Sequence, residues 1–259
     1  MRTPLVDGRN IDQFIPAHLR GMFYKHPMPE YKYAIHDGYD PYGFSTEGLV
    51  LYVPLWALKG SPFPSIDAYG HICTATGALW RPNSREFDGL DDNITCGTGS
   101  DVLSTTGDFT IEIWFRRLRE HTDWESIMGK ARADGARSNY DLSLINGTNK
   151  LRFELSWDNG DWTDSNFDSD DALPTDIWIH VVGTVISKHM RLYLDTVVQT
   201  INPTFAGTID TNTEKLYVGM RRPAGEPAKI DVGEVRFYNR ALPLAEIRHN
   251  RNATKWRFG

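Results

Sequence analysis

The sequence predicts an all-β fold in which two antiparallel sheets pack face to face. Apolar and polar residues alternate over short runs, above all at 109–116, FTIEIWFR. About a dozen such runs follow one another, separated by Gly, Asp, Asn and Pro turns, with almost no amphipathic helix between them. The chain has 259 residues, within reach of one large sandwich, and 12% of them are aromatic, which suits strands.

Residues 1–47 read as an extended N-terminal arm. Pro4, Pro16, Pro27, Pro29 and Pro41 interrupt it, and Tyr24, Tyr31, Tyr33, Tyr39 and Tyr42 stand among polar residues. Only 11–22 has the makings of a short helix. Two readings stay open: a disordered tail, or an arm that packs on its own sandwich or on a second copy in a homo-oligomer.

Residues 48–259 form the sandwich. The run 49–53 is a first strand, stopped by Pro54, and a Pro- and Ser-rich loop follows at 60–65. Short strands are expected at 71–76 and 78–80, on either side of Gly77. Runs 85–87 and 93–96 flank Asp88-Gly89-Leu90-Asp91-Asp92, whose turn chemistry predicts a hairpin. In 109–116, Phe109, Ile111, Ile113 and Phe115 share one face, and Thr110, Glu112, Trp114 and Arg116 the other. Such alternation predicts a strand with one buried face, placing Trp114 under a second layer or in a groove. Further strands are expected at 126–129, 140–145, 151–157, 178–185, 190–194, 216–220 and 234–238, with a tight turn at Asn146-Gly147. One helix follows Arg240; Pro243 and Glu246 suit its first turn.

Composition excludes several classes of function. The formal net charge is −6 and the basic residues are scattered. No basic face exists to displace counterions from phosphates, so nucleic acid is not an expected partner. No run of about 18 apolar residues is present, so no membrane span is expected. The N-terminus is charged throughout and lacks an apolar core, so no signal peptide is expected. That leaves a cytoplasmic product, a truncated chain, or a protein that leaves the cell within a larger particle. The two cysteines, Cys73 and Cys96, are either separate half-buried thiols or a single bridge.

The run Glu234-Val235-Arg236-Phe237-Tyr238-Asn239-Arg240-Ala241-Leu242-Pro243-Leu244-Ala245-Glu246-Ile247 resembles the closing motif of laminin G-like, concanavalin A-like jelly-roll domains. Phe87-Asp88-Gly89, the strand at 109–115, Trp178-Ile179-His180-Val181 and Arg191-Leu192-Tyr193-Leu194-Asp195 resemble that family's earlier motifs, in the family's order. The tail at 248–258 resembles tails of such domains in phage-like and environmental sequences. The resemblance implies a concanavalin A-like jelly roll, and its last feature a virion-associated protein.

Relatives of that kind include glucanases with Glu-x-Asp-x-x-Glu on one strand, which sets an acid and a nucleophile on one face. No such spacing occurs here; Glu112 and Glu154 stand alone on their strands as solvated or ion-paired residues. Where lyase-type relatives carry Gln-x-His, this chain has Trp178-Ile179-His180, and His180 is expected to be structural. No Gly-x-Ser-x-Gly or His-Glu-x-x-His is present. No enzyme is expected.

The resemblance also implies a structural Ca²⁺ at the sandwich edge, bound by hard oxygen ligands. The family's acidic ligand just before the closing Glu-Val-Arg run is here Gly233, with Asp231 two residues earlier; Asp88, Asp91 and Asp92 are the other candidate ligands. In the acidic loop 158–171, Asp164, Asn166, Asp168 and Asp170 alternate as in a calcium loop, but Ser169 and Thr175 break the pattern. For sugar, ring stacking and hydroxyl acceptors are needed together. Trp157 and Trp162, among Asp158, Asn159 and Asp161, supply both, and Trp124 is a third platform. Trp157 has an alternative place in the core. The expected function is a non-catalytic carbohydrate- or receptor-binding sandwich, as a virion adhesion or decoration protein. The alternative is a structural protein that assembles through 1–47; a glycoside hydrolase or polysaccharide lyase ranks third.

Overall fold

The computed structural model describes residues 43–99, 101–120, 123–132, 138–158, 165–222 and 225–258, and the backbone pairing of 5–6 with 9–10. The helix expected at 11–22 and the tyrosines at 24–42 lie outside the described residues. Strands β1 (Leu5–Val6) and β2 (Arg9–Asn10) form a small antiparallel pair. The sandwich starts with β3 (Leu49–Pro54), β4 (Phe63–Pro64), β5 (Ile72–Thr76), β6 (Leu79–Arg81), β7 (Ser84–Glu86) and β8 (Asn93–Cys96). It continues with β9 (Phe109–Arg117), β10 (Glu125–Ala131), β11 (Ser138–Leu144), β12 (Leu151–Leu155) and β13 (Ser165–Asp168). It ends with β14 (Trp178–Ile186), β15 (His189–Leu194), β16 (Val197–Val198), β17 (Leu216–Val218), β18 (Ile230–Tyr238), helix α1 (Leu244–Thr254) and a 3-10 turn at Lys255–Arg257.

Two antiparallel sheets result. Sheet A has the order β13-β12-β11-β10-β17-β8-β5-β4, and sheet B the order β16-β15-β14-β9-β18-β7-β6, with β3 also along β18. Between them lies one core. Phe109, Ile111, Ile113 and Phe115 face Tyr140, Leu142, Leu144, Phe153 and Leu155 across it. Phe109 and Phe237 stack with ring centroids 5.5 Å apart. Among the described residues, no helix is long and apolar enough to cross a membrane.

Two sequence expectations need correction. The first is the hairpin at 88–92. Its two flanking strands lie in different sheets: β7 pairs with β18 and β6, β8 with β5 and β17. Asp and Gly reverse the chain there, but long-range partners draw the two arms apart, so the turn is a crossover between sheets. The second is β9, expected to bury one face. Both faces are buried, because α1, the 3-10 turn, Phe258 and the Trp56–Ala57 stretch after β3 cover the outer face of sheet B. Trp114 is therefore under a second layer: its Nε1–H donates to Thr254 Oγ1 at 2.9 Å, and its ring lies 4.9 Å from that of Phe258.

The last residues of the arm pack on their own sandwich, one of the readings that the sequence left open. Phe44 is buried under the Arg236 guanidinium, 4.0 Å from the ring centroid, and the Ser45 carbonyl accepts a bond from Tyr238 Oη at 3.0 Å. The helix docks through Ile247, Asn250 and Thr254, which share one face. Asn250 donates to Glu112 at 2.8 Å. Glu112 also meets His180 Nε2 at 2.7 Å and Arg236 Nη1 at 2.8 Å, and Arg236 pairs with Glu234 as well. Glu112, ion-paired with Arg236 and hydrogen-bonded to His180 and Asn250, is thus a buried tie between sheet B and its cover. Burial opposes ionisation of Glu112, but Arg236, His180 and Asn250 outweigh it and hold the carboxyl down at about 2.

Candidate functional site

The outer face of sheet A carries one continuous row of register partners: Asn166, Glu154, Asp141, Gly129, Tyr217, Thr95 and Thr74. Phe167, Phe153, Leu155, Tyr140, Leu142, Met128, Leu216, Val218, Ile94, Cys96 and Cys73 beside them are core residues, so the alternation of the pleat puts the row on the outer face. A second row, Asp168, Arg152, Ser143 and Ser126, runs beside its first half. Sequence alone could not show these rows, because they join strands up to about 140 residues apart through register.

The half of the face over β10, β11 and β12 is closed. Gly129 leaves room for the neighbouring carboxylate: a β-carbon on it would lie 2.2 Å from Asp141 Oδ1. Ser126 Oγ donates to that oxygen at 2.6 Å, and Ser143 Oγ donates to Oδ2. Arg221 crosses above, donating to Ser138 Oγ at 2.7 Å and to Glu154, and pairing with Glu226 at 3.4 Å. Burial pushes the Asp141 carboxyl well above the ordinary range; Glu154 and Glu226 add to this and Arg221 opposes it. Burial also raises Glu154, again against Arg221. Side-by-side carboxyls in unlike environments are the raw material of acid–base pairs. Here both are buried: serines bond both Asp141 oxygens, and Glu154 Oε1 meets Arg221 and Ser138, which ties β10, β11 and β12 to Arg221.

The half over β17, β8 and β5 is open. Tyr217 and Thr95 are half-buried and Thr74 is exposed, so a tyrosine and two threonines share the solvent side of the sheet. At the other end, the Arg152 guanidinium lies over the half-buried Trp124 ring, 5.1 Å from its centroid, and pairs with Asp168 at 2.7 Å. Trp124, expected as a sugar platform, therefore stands in a Trp–Arg–Asp cluster.

The other expected ligand residues divide. The alternation of β12 carries on through Trp157, whose ring packs on the inter-sheet core near Phe205, centroids 6.5 Å apart. It is a half-buried core-edge residue, the second of the two places that the sequence left open for it. Asp158 is exposed with φ 49°, and its Oδ1 accepts the Thr208 amide at 2.7 Å. Gly207 passes so close that a β-carbon would lie 2.1 Å from the Asp158 carboxylate and 2.3 Å from the Trp157 ring. The Asp158 carboxylate thus holds the 207–208 segment. Asn159, Asp161 and Trp162 lie outside the described residues.

The expected metal ligands divide as well. Carboxylate oxygens of Asp88, Asp91 and Asp92 come within 4.8 Å of one another, at the crossover between the sheets. Asp92 Oδ2 accepts the Asp88 amide at 2.9 Å and Asp88 Oδ1 the Leu90 amide at 2.8 Å, while Asp91 is exposed. Burial raises the Asp92 carboxyl, with the Asp88 amide acting against it. Three hard oxygen donors in that space suit a Ca²⁺-sized cation. Asp231 is elsewhere: it is buried in an ion pair with Arg116, 2.5 Å, and is not part of that group. This corrects its place in the ligand set, because the Arg116 guanidinium already neutralises it.

Comparison with known proteins agrees with this architecture. The family model of the concanavalin A-like lectin/glucanases superfamily, laminin G type, matches residues 88–248. The chain belongs to that superfamily, and its fold is a concanavalin A-like sandwich. No curated protein matches it. Among solved structures, Trypanosoma rangeli sialidase in complex with 2,3-difluoro-KDN is similar with a TM-score of 0.63 and 19% identity, over 80% of this chain and 33% of the sialidase. The botulinum neurotoxin serotype D binding domain is similar with a TM-score of 0.63 and 12% identity, over 80% of this chain and 52% of that one. The same toxin's ligand-binding domain in complex with N-acetylneuraminic acid gives 0.61 and 11%, over 80% and 51%. This chain thus spans about a third of the sialidase and half of the toxin domain, and identities this low speak for the fold alone.

Proposed function

We propose that this protein is a non-catalytic carbohydrate-binding sandwich that takes its ligand on the outer face of sheet A. The observation that carries this reading is the register row, which sets Tyr217 beside Thr95 and Thr74 on the open half of the face. An aromatic ring flanked by hydroxyls offers the stacking and hydrogen bonding that a sugar needs. Trp124, Arg152 and Asp168 bound the same face at its far end. Membership of a lectin and glucanase superfamily, and the toxin structure holding N-acetylneuraminic acid, favour glycan over other receptors. The non-catalytic part is supported by Asp141 and Glu154, whose carboxyls are consumed by Arg221 and serines.

The reading includes a calcium ion that Asp88, Asp91 and Asp92 would hold, as a structural brace at the crossover. It also places the module on a virion or similar particle as an adhesion or decoration protein, supported by the likeness of the 248–258 tail to phage-like sequences. A glycan array, run with and without Ca²⁺, tests the reading; no hit in either condition overturns it. Tyr217→Ala is expected to weaken any hit at least about tenfold while leaving the melting temperature in place.

A further inference from the structure

The two cysteines face each other across β5 and β8. Cys73 and Cys96 are register partners in this antiparallel pair, and both side chains are fully buried. The Gly97 amide donates to the Ile72 carbonyl at 3.1 Å. That bond joins the residues flanking the pair, which makes Cys73–Cys96 a non-hydrogen-bonded position. At such positions opposing α-carbons stand about 4.5 Å apart and the side chains are at their closest. A disulfide requires roughly 4.4–6.8 Å between α-carbons. The two thiols are in contact, and the Cys73 thiol is also 3.7 Å from the His71 carbonyl.

Access to this pair comes from the sheet edge. Strand β4, the outer neighbour of β5, has only two residues, Phe63 and Pro64, and ends the sheet. Short edge strands open at low cost, and opening of β4 would remove Phe63, the register partner of Cys73 on that side. In the closed sandwich burial holds the Cys96 thiol protonated, and a thiol is a poor nucleophile.

We propose that Cys73 and Cys96 form a cross-strand disulfide when the chain meets a small-molecule disulfide oxidant such as oxidised glutathione, locking β5 to β8. The Cys73 thiolate attacks one sulfur of the oxidant, whose S–S bond breaks; one glutathione leaves as thiolate and the other stays on Cys73 as a mixed disulfide. The Cys96 thiolate then attacks the Cys73 sulfur and displaces the second glutathione. Two protein thiols are oxidised, one glutathione disulfide is reduced, and the two thiol protons end on the two glutathiones. The bond closes the 73–96 loop, which contains the Asp88, Asp91 and Asp92 crossover. It also stiffens the next register pair, Thr74 and Thr95, at the open end of the outer face. The proposal rests on strand register and does not depend on the glycan reading.

The test is refolding of the full-length chain in a buffer of reduced and oxidised glutathione, followed by acid quenching, thiol alkylation, intact mass and peptide mapping. The expected product has lost two hydrogens, contains no alkylatable thiol, and yields one linked peptide joining Cys73 to Cys96. Its melting temperature is expected to lie about 5–10 °C above that of the reduced chain, and dithiothreitol reverses the shift. Cys73→Ser and Cys96→Ser each leave one thiol, end as a glutathione adduct or free thiol, and show no rise. Two alkylatable thiols after oxidative refolding, or glutathione adducts on the wild-type chain with no linked peptide, overturn the proposal. A linked chain that melts below the reduced one overturns the locking role.

Discussion

The ring of Phe258 occupies the place where a side chain on Gly233 would begin: a β-carbon there would lie 2.2 Å from Phe258 Cε1. Gly233 sits at a register shift between β18 and β9, and its carbonyl accepts the Trp56 amide at 3.2 Å. Phe258 reaches through this gap to Trp114 and Trp178. The glycine at a position where the family offers a metal ligand thus has a packing reason. Gly233→Ala is expected to cost about 1–3 kcal/mol by overpacking, and Phe258→Ala about 3 kcal/mol by cavity formation. Urea denaturation reads both, and a Gly233→Ala chain as stable as wild type would show that Phe258 does not need the gap.

Acid sensitivity should centre on Glu112. Its folded-state pKa of about 2 lies below the ordinary 4.5. A depressed carboxyl contributes stability that is present above the unfolded value and is lost as pH falls from 4.5 toward 2. The shift corresponds to about 3 kcal/mol. Glu112→Gln should therefore be less stable at neutral pH by about 3–5 kcal/mol, and its stability should fall less steeply in this acid window. Parallel wild-type and variant slopes between those pH values would exclude Glu112 as the titrating group.

Asp141 should act with the opposite sign. Its folded pKa is raised, by burial first, so keeping the buried site intact costs stability as pH climbs from the unfolded carboxyl value through the folded one. Asp141→Asn keeps the shape and removes the titration. Its stability relative to wild type is expected to increase with pH, measured by denaturant midpoints from mildly acidic to mildly basic buffer. A constant difference across that range rules the group out.

Calcium is expected to raise the melting temperature, and Asp91→Asn, an exposed position with no fold-holding bond among those described, should abolish the shift. Asp231→Asn should lower stability through loss of the Arg116 ion pair and leave the calcium response intact. No thermal response to calcium after prior chelation would remove the metal from the account.

Much of the fold was legible locally. The strands at 49–53, 93–96, 109–116, 178–185 and 234–238 are close to those observed because a pleat with one face in the core forces strict alternation. The strands β4, β13 and β16 were missed; they are two to four residues long and carry too few periods to show a pattern. The run 216–220 was read too long because Gly219, at φ 80°, packs under Phe87 and ends the strand. Among candidate ligand residues, Asp88, Asp91 and Asp92 are adjacent in sequence and were found together. Tyr217 was not, because its partners Thr95 and Gly129 are distant in sequence.

The sequence by itself determined that this chain is a β-sandwich of the concanavalin A-like superfamily, since strand periodicity and the closing motif at 234–247 are properties of short windows. Only the tertiary structure decided which strands share a sheet, that 88–92 crosses between sheets, that Asp231 serves Arg116, and that Trp157 faces the core. Turn residues reverse a chain without choosing its partner, and a carboxylate carries no local mark of the cation it will meet. Those choices are made by register and burial, which join residues that the sequence holds far apart.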